Sequence, residues 1–479
     1  MISNVERTSD AFIDQARIEE LLAAGKKAAR DTAQVRAIIT KAAKHQGLTA
    51  AEVAVLLQVE DSNLQEELFQ TAEQIKKDIY GQRIVIFAPL YLSSHCVNNC
   101  TYCGYRCSNE KQLRRRLTAE EVRREAEILE DMGHKRLAVE AGEDPVNCPI
   151  SYVTDMLKEI YASKSGNGSI RRANVNIAAT TIDEYKQLKE AGIGTYILFQ
   201  ETYHRPTYAA LHPGGPKQDY NWHTTAMDRA MTAGIDDVGL GVLYGLYDYK
   251  YETVAIFLHA EHLERTFGVG PHTISVPRMR PASGINLETF PYLVDDEAFA
   301  KIIAIIRLAV PYTGMILSTR EEPGTRDRLI RYGISQISAG SCTGVGGYAQ
   351  LQAHPGEHLD PESSGMQFEP SDGRSPNEII RMLCAQGYVP SYCTACYRQG
   401  RTGDRFMALA KTGEIQNVCL PNALLTLQEY LLDYADEETR SVGEKVIAEQ
   451  LASIPQNDVR DATRRELAKI QSGTRDLYF

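Results

Sequence analysis

From Ile84 onward the chain alternates short apolar runs with longer amphipathic segments, and it does so eight times. The runs lie near Ile84–Ala88, Arg136–Glu140, Asn174–Ala178, Tyr196–Gln200, Val238–Leu243, Thr273–Val276, Met315–Ser318 and Ile334–Ile337. Between them fall helix-like stretches such as Ala119–Met132 and Tyr220–Ala233. This is how parallel strand and helix units read, and eight of them predict an α/β fold, a complete (β/α)8 TIM-type barrel with its chemistry at the C-terminal strand ends. Residues 1–80 carry apolar positions at helical spacing, and Thr49-Ala50-Ala51-Glu52 before Val53 is a capping-box signature, so an N-terminal helical extension is expected. The polar, Pro- and Gly-bearing stretch His354–Ser375 breaks the alternation and reads as a linker. The expected domains are therefore 1–80, 81–353 and a mainly helical 354–479, in which Pro376–Leu383 and Asn422–Ile454 look helical.

The first apolar run continues to Leu92 and is followed directly by Cys96-Val97-Asn98-Asn99-Cys100-Thr101-Tyr102-Cys103. Three thiolates at this spacing can hold three corners of a cubane 4Fe-4S cluster and leave the fourth iron open to a ligand. A zinc knuckle is the competing reading, but it wants paired C-x2-C units and a fourth ligand, and only Cys107 stands nearby. A second set, Cys393-Thr394-Ala395-Cys396 and, after 22 intervening residues, Cys419, again supplies three thiolates. C-x2-C by itself suits half a zinc site or a redox pair equally well. The third cysteine and the basic run Tyr397-Arg398-Gln399-Gly400-Arg401-Thr402-Gly403 favour a second cluster, whose negative charge such cations offset. Cys107, Cys148, Cys342 and Cys384 have no partner spacing and read as small apolar residues.

Ten cysteines in 479 residues are too few for a disulfide scaffold. The polar segment Met1–Gln15 carries no apolar signal core and no run of eighteen apolar residues occurs, so a cytoplasmic location without a membrane span is expected. A net charge of -11 argues against a general affinity for nucleic acid.

The first motif resembles that of the radical S-adenosylmethionine (SAM) enzymes, with Tyr102 at the family's usual aromatic position before the last cysteine. More narrowly, four features look like the tyrosine lyases that mature FeFe-hydrogenase. They are the flanking Gly104-Tyr105-Arg106, the stretch Val139-Glu140-Ala141-Gly142-Glu143-Asp144-Pro145, the stretch Phe199-Gln200-Glu201-Thr202-Tyr203-His204, and the C-terminal cysteine set. The likeness extends to the closing Asp476-Leu477-Tyr478-Phe479, and the tyrosine lyases of thiamine biosynthesis share only the barrel motifs.

What the resemblance implies is specific. SAM would be chelated by the open iron of the Cys96/Cys100/Cys103 cluster, its amino group received by Ala141-Gly142-Glu143 and its ribose by Glu201, for which a salt bridge to Arg205 or another base is the plain alternative. The substrate would be tyrosine. Its carboxylate calls for an arginine fork, with Arg320 first, Ser338 and Ser341 completing the grip, and Arg278 and Arg280 as competitors. Arg320's plain alternative is surface pairing with Glu321 or Glu322. The Cys393/Cys396/Cys419 cluster would carry an extra, labile iron held by a histidine at the bottom of the barrel, His272 or its rival His262. A reductant protein and hydrogenase maturation proteins are the implied partners. The Gly344-Val345-Gly346-Gly347 run suits either an anion cradle or a barrel turn. Two other functions fit the same residues: a lyase that stops at dehydroglycine for thiamine biosynthesis, and a non-catalytic iron-sulfur scaffold.

Overall fold

The structure is a computed structural model describing residues 9–281, 285–354 and 365–479. Eight parallel strands close a barrel: β1 Arg83–Ser93, β2 Arg136–Ala141, β3 Arg172–Asn176, β4 Tyr196–Ile197, β5 Val238–Gly241, β6 Thr273–Ser275, β7 Gly314–Leu317 and β8 Gln336–Ser338, with β1 pairing both β8 and β2. Each lies on or within two residues of an expected apolar run. A ninth strand, β9 Val389–Ser391, was not foreseen; it pairs parallel to the lower end of β1, with Arg83 opposite Val389 and Val85 opposite Ser391. Pro390 explains the omission, since proline argues against a strand except at an edge, and among the described residues β9 pairs with β1 alone.

β1 is longer than the others because it serves three partners in succession: β9 at Arg83–Val85, β8 at Val85–Phe87 and β2 from Ala88 onward. A register shift between Tyr91 and Ser93 ends its pairing with β2 and turns the chain into the first cysteine loop. Because side chains alternate along a strand, Arg83, Val85, Phe87, Pro89 and Tyr91 share one face. That face points into the barrel: the first two line a cavity at the bottom, the last three a cavity above it. Arg136, Ala138 and Glu140 of β2 repeat the pattern, as do Gly314 and Ile316 of β7 and Gln336 and Ser338 of β8.

Helices begin where a short polar side chain can satisfy free backbone N–H groups. Capping boxes at Thr49/Glu52, Thr118/Glu121, Thr181/Glu184 and Ser375/Glu378 open four of them. The N-terminal region forms helices Gln15–Ala28, Thr32–Ala42, Ala50–Leu56 and Ser62–Tyr80, the last packed on the barrel helix Asp296–Ala309.

Two expected helices are each broken in two. Tyr220–Ala233 is split at Thr225, where Thr224 and Thr225 hydroxyls donate to the carbonyls of Tyr220 and Asn221, both at 2.7 Å. Asn422–Ile454 is split after Asp433, and Asp436 caps the next helix, Glu437–Ser453. Of the expected linker, residues 355–364 lie outside the described residues; 365–375 contain no helix or strand beyond an isolated bridge. The glycine run at 344–347 is a barrel turn filled by a side chain: Arg115 Nη1 donates to the Val345 carbonyl at 3.2 Å and its guanidinium lies against Gly346. Among the described residues no helix is long and apolar enough to cross a membrane.

Candidate active site

The loop after β1 is held open by backbone hydrogen bonds to its surroundings. Val97 N–H donates to Glu143 O at 2.8 Å, Asn99 N–H to Gly214 O at 3.0 Å and Thr101 N–H to Leu211 O at 3.0 Å. Arg114 ties its two ends, donating to the carbonyls of Ser94, Tyr105 and Arg106. Cys96, Cys100 and Cys103 consequently line one wall of a cavity at the C-terminal mouth, all three as free thiols. Burial raises the Cys96 thiol and pushes Cys100 up to about 12, so these two are protonated until a metal claims them. Tyr102 also lines this cavity, its hydroxyl 2.8 Å from His212 Nε2. Among the described residues no three His, Cys, Asp or Glu converge tightly enough for a single metal ion; a cubane asks less, because each thiolate meets a different iron.

Against the Cys96 end of this loop stand Ala141, Gly142 and Glu143, at the end of β2, which line the same cavity. Burial raises the Glu143 carboxyl, and Asn98 Nδ2 donates to it at 2.5 Å. Gly142 sits where backbone passes backbone: a Cβ there would come within 2.3 Å of His95 O and 3.1 Å of Cys96 Cβ. Gly142→Ala is expected to displace the Cys96 end of the loop, at a cost of about 1–3 kcal/mol. Lower iron content after anaerobic reconstitution, with a lower melting temperature, would register it.

Glu201 faces the same cavity from the end of β4 and carries a left-handed backbone, φ 68°, unusual for a residue with a side chain. Its base is not Arg205 but Lys217, whose Nζ lies 2.7 Å from the carboxylate. Burial disfavours the Lys217 ammonium, yet Glu201 and the Cys100 sulfur outweigh it and hold it above the ordinary lysine range. Lys217 escaped the sequence reading because it lies in a single 3-10 turn, Pro216–Gln218, before the helix Tyr220–Thr224, with no motif around it.

Beneath this mouth a second cavity runs into the barrel, and Glu140, Asn176, Phe199, Pro277, Arg320, Gln367 and Phe368 line both. Arg320 does not pair with Glu321 or Glu322; its guanidinium lies over the Phe368 ring, 3.5 Å from the centroid. Ser338 and Ser341 line the inner cavity, and the Ser341 hydroxyl is buried without a partner. Arg278 is drawn elsewhere: it holds Glu321 at 2.6 Å and also pairs with Asp296, outside the residues that line either cavity. Arg280 shares Glu321, at 2.5 Å, and reaches the outer cavity. Gln367 and Phe368, from the expected linker, were missed entirely; Gln367 accepts from the Tyr91 hydroxyl at 3.0 Å and its Nε2 is 3.7 Å from Cys103 Sγ.

At the opposite mouth, Cys393, Cys396 and Cys419 line a cavity with Arg83, Arg136, Asp237 and His272. β9 delivers Cys393, the short helix Ala395–Arg398 carries Cys396, and the helix Gln416–Asp433 carries Cys419. A hydrogen bond between the Cys396 and Cys419 sulfurs holds Cys419 below the usual thiol range and Cys396 above it. His272 lies 3.3 Å from Asp237 and packs on Phe406. His262 is instead bound to Asp228 at 2.8 Å and stacked on Phe12, away from this cavity. The cations nearest the thiols are Arg83 and Arg136, from the barrel itself, together with Arg401. Arg398 is taken by Asp476. Buried polar atoms gather here: Arg83 Nε and Arg401 Nε have no hydrogen-bond partner, and the Asp237 carboxylate faces His272 Nδ1 across 3.3 Å. Three thiols, a histidine backed by a carboxylate, and arginine N–H groups without partners fit a bound metal group.

Residues 90–260 match the radical SAM superfamily, and residues 275–389 match the biotin and thiamin synthesis associated domain. A crystal structure of HydG, a maturase of the FeFe-hydrogenase, superposes with a TM-score of 0.93 at 64% identity, covering 98% of this chain and 100% of that one. The chain belongs to the HydG-type maturases of the radical SAM superfamily. HydG from Carboxydothermus hydrogenoformans gives a TM-score of 0.81 at 37% identity, over 96% of this chain and 100% of its own. The 2-iminoacetate synthase of Escherichia coli strain K12 is 33% identical over 362 residues, 75% of this chain and 91% of the relative. Membership of this HydG-type group implies one 4Fe-4S cluster and SAM.

Proposed function

We propose that the chain is a radical SAM carbon-carbon lyase that cleaves the Cα–Cβ bond of tyrosine, giving p-cresol and dehydroglycine, and that it converts the second fragment to carbon monoxide and cyanide on a second cluster, where both bind a labile iron. The product would be an Fe(CO)(CN) synthon for the hydrogenase active site. The observation that carries this reading is the pair of three-cysteine cavities at opposite mouths of one barrel, joined by inward-facing side chains, with Arg320 between them.

Cys96, Cys100 and Cys103 would hold the first cluster, and Ala141, Gly142, Glu143, Glu201 and Lys217 the SAM beside it. When bound, these groups supply, with one electron from a reductant protein, the 5'-deoxyadenosyl radical that removes a hydrogen atom from the substrate's amino group. Arg320 would take the tyrosine carboxylate in its planar fork, with Ser341 as a further donor. Phe87, Pro89, Ile197 and Ile316 give the inner cavity an apolar wall for the phenol ring and keep water away. Cys393, Cys396 and Cys419 would hold the second cluster in the lower, auxiliary domain, and His272 the labile iron.

Asp237 supports that last assignment, since a carboxylate facing one imidazole nitrogen orients the other toward a metal. Asp237→Asn should weaken retention of the labile iron by about tenfold or more. Titrating the reconstituted protein with a ferrous chelator would measure this.

The deciding experiment supplies carboxyl-labelled tyrosine, SAM and a strong reductant to the anaerobically reconstituted protein. Labelled carbon monoxide is expected. The likeness to 2-iminoacetate synthase favours a second reading, a lyase that stops at dehydroglycine; p-cresol without carbon monoxide would select it.

A further inference from the structure

Glu140 is the one member of the Val139–Pro145 stretch facing into the barrel that the foregoing account leaves idle. It lies on β2 between Tyr91 of β1 and Asn176 of β3, its in-register neighbours, and its side chain borders both the SAM-side cavity and the inner one. Arg320 borders the same two cavities from the end of β7. Among the described residues neither forms an ion pair. Burial pushes the Glu140 carboxyl up to about 8, and neither Arg320 nor the amide of Asn176 offsets it. A cation and a carboxyl whose ionised form burial disfavours thus share the junction of two cavities, and a ligand that brings an opposite charge to each would relieve both.

A zwitterion is the ligand that relieves both. Resting on the tyrosine reading above, the geometry points to Glu140 as the seat of the substrate's ammonium group and the acceptor of the proton that leaves it. The carboxylate head would then sit on Arg320, and the ring would extend into the apolar inner cavity. This places the nitrogen at the SAM-side rim, where the hydrogen atom is taken. The proton step balances as R–NH3+ plus carboxylate giving R–NH2 plus carboxylic acid. It precedes removal of the hydrogen atom, so that an uncharged amine is what loses it. A carboxyl whose ordinary range has been raised is the better base for an amine.

The test compares L-tyrosine with 3-(4-hydroxyphenyl)propanoate, which lacks only the amino group, by calorimetry on cluster-loaded protein with SAM and without reductant. Wild type should prefer L-tyrosine by about tenfold or more, the worth of a charge-assisted hydrogen bond. Glu140→Gln should lose that preference while still binding the deamino analogue. Glu140→Asp, with the charge retained on a shorter arm, should keep part of it. An equal preference in wild type and Glu140→Gln would overturn the role of Glu140 and leave the tyrosine reading standing. Should Glu140→Gln fail to fold, a wild type that binds the deamino analogue as tightly as tyrosine overturns it just as well. Failure of wild type to bind either compound would sink the substrate assignment, and this inference with it.

Discussion

Cys396→Ala protein, reconstituted anaerobically and given SAM, tyrosine and reductant, is expected to form p-cresol within about threefold of the wild-type rate and no detectable carbon monoxide. The two cysteine sets line separate cavities at opposite ends of the barrel, with Phe87, Ala138 and Ile316 between them. Substitutions at well-separated sites with no shared partner act nearly independently. Loss of Cys396 removes a thiol from the lower cavity and its hydrogen bond to Cys419, and touches nothing that would hold SAM or tyrosine. Quantifying both products in one reaction settles the matter: if p-cresol disappears with carbon monoxide, the division of labour between the two mouths is wrong.

Cys100→Ala should lose both products together, with 5'-deoxyadenosine formation falling to background, about a thousandfold or more. Cys100 is the most enclosed of the upper three thiols, 6% exposed, and it faces Lys217 and Glu201 across the cavity. With two thiols left, the upper site has no third corner for a cubane. The lower cavity is untouched, so second-cluster iron should persist. Iron content near half of wild type, together with absent SAM cleavage, is the expected pair of results.

Much of this molecule was legible in its sequence where one physical rule dominated. The eight barrel strands announce themselves through the apolar residues that alternate positions bury, such as Leu137 and Val139 of β2 and Ala173 and Val175 of β3. The first cysteine loop did so because three thiols in eight residues have few other uses. What stayed hidden depends on contacts distant in sequence. Gln367 and Phe368 belong to a stretch whose composition says linker, yet they fold back onto Tyr91, Cys103 and Arg320. Lys217 has no local pattern, and only its pairing with Glu201 marks it. Arg278, in a run that reads as a strand end, is claimed by Glu321 and Asp296, which no spacing rule foretells. Of the cations sought beside the lower thiols, Arg401 is there and Arg398 is paired with Asp476, whereas Arg83 and Arg136 come from strands hundreds of residues earlier.

β9 bears on how this chain is made. Of the nine described strands β1 is made first, but its lower end finds its partner only in Val389–Ser391, the last of them. Until then Arg83–Val85 present unpaired backbone along an apolar edge, the kind of surface that recruits other chains. So remote a pairing is slow to form. The upper cysteines, all within the first quarter of the chain, can gather long before the lower three. Iron would accordingly be loaded in chain order, top mouth first, and the nascent protein would need shielding for most of its synthesis.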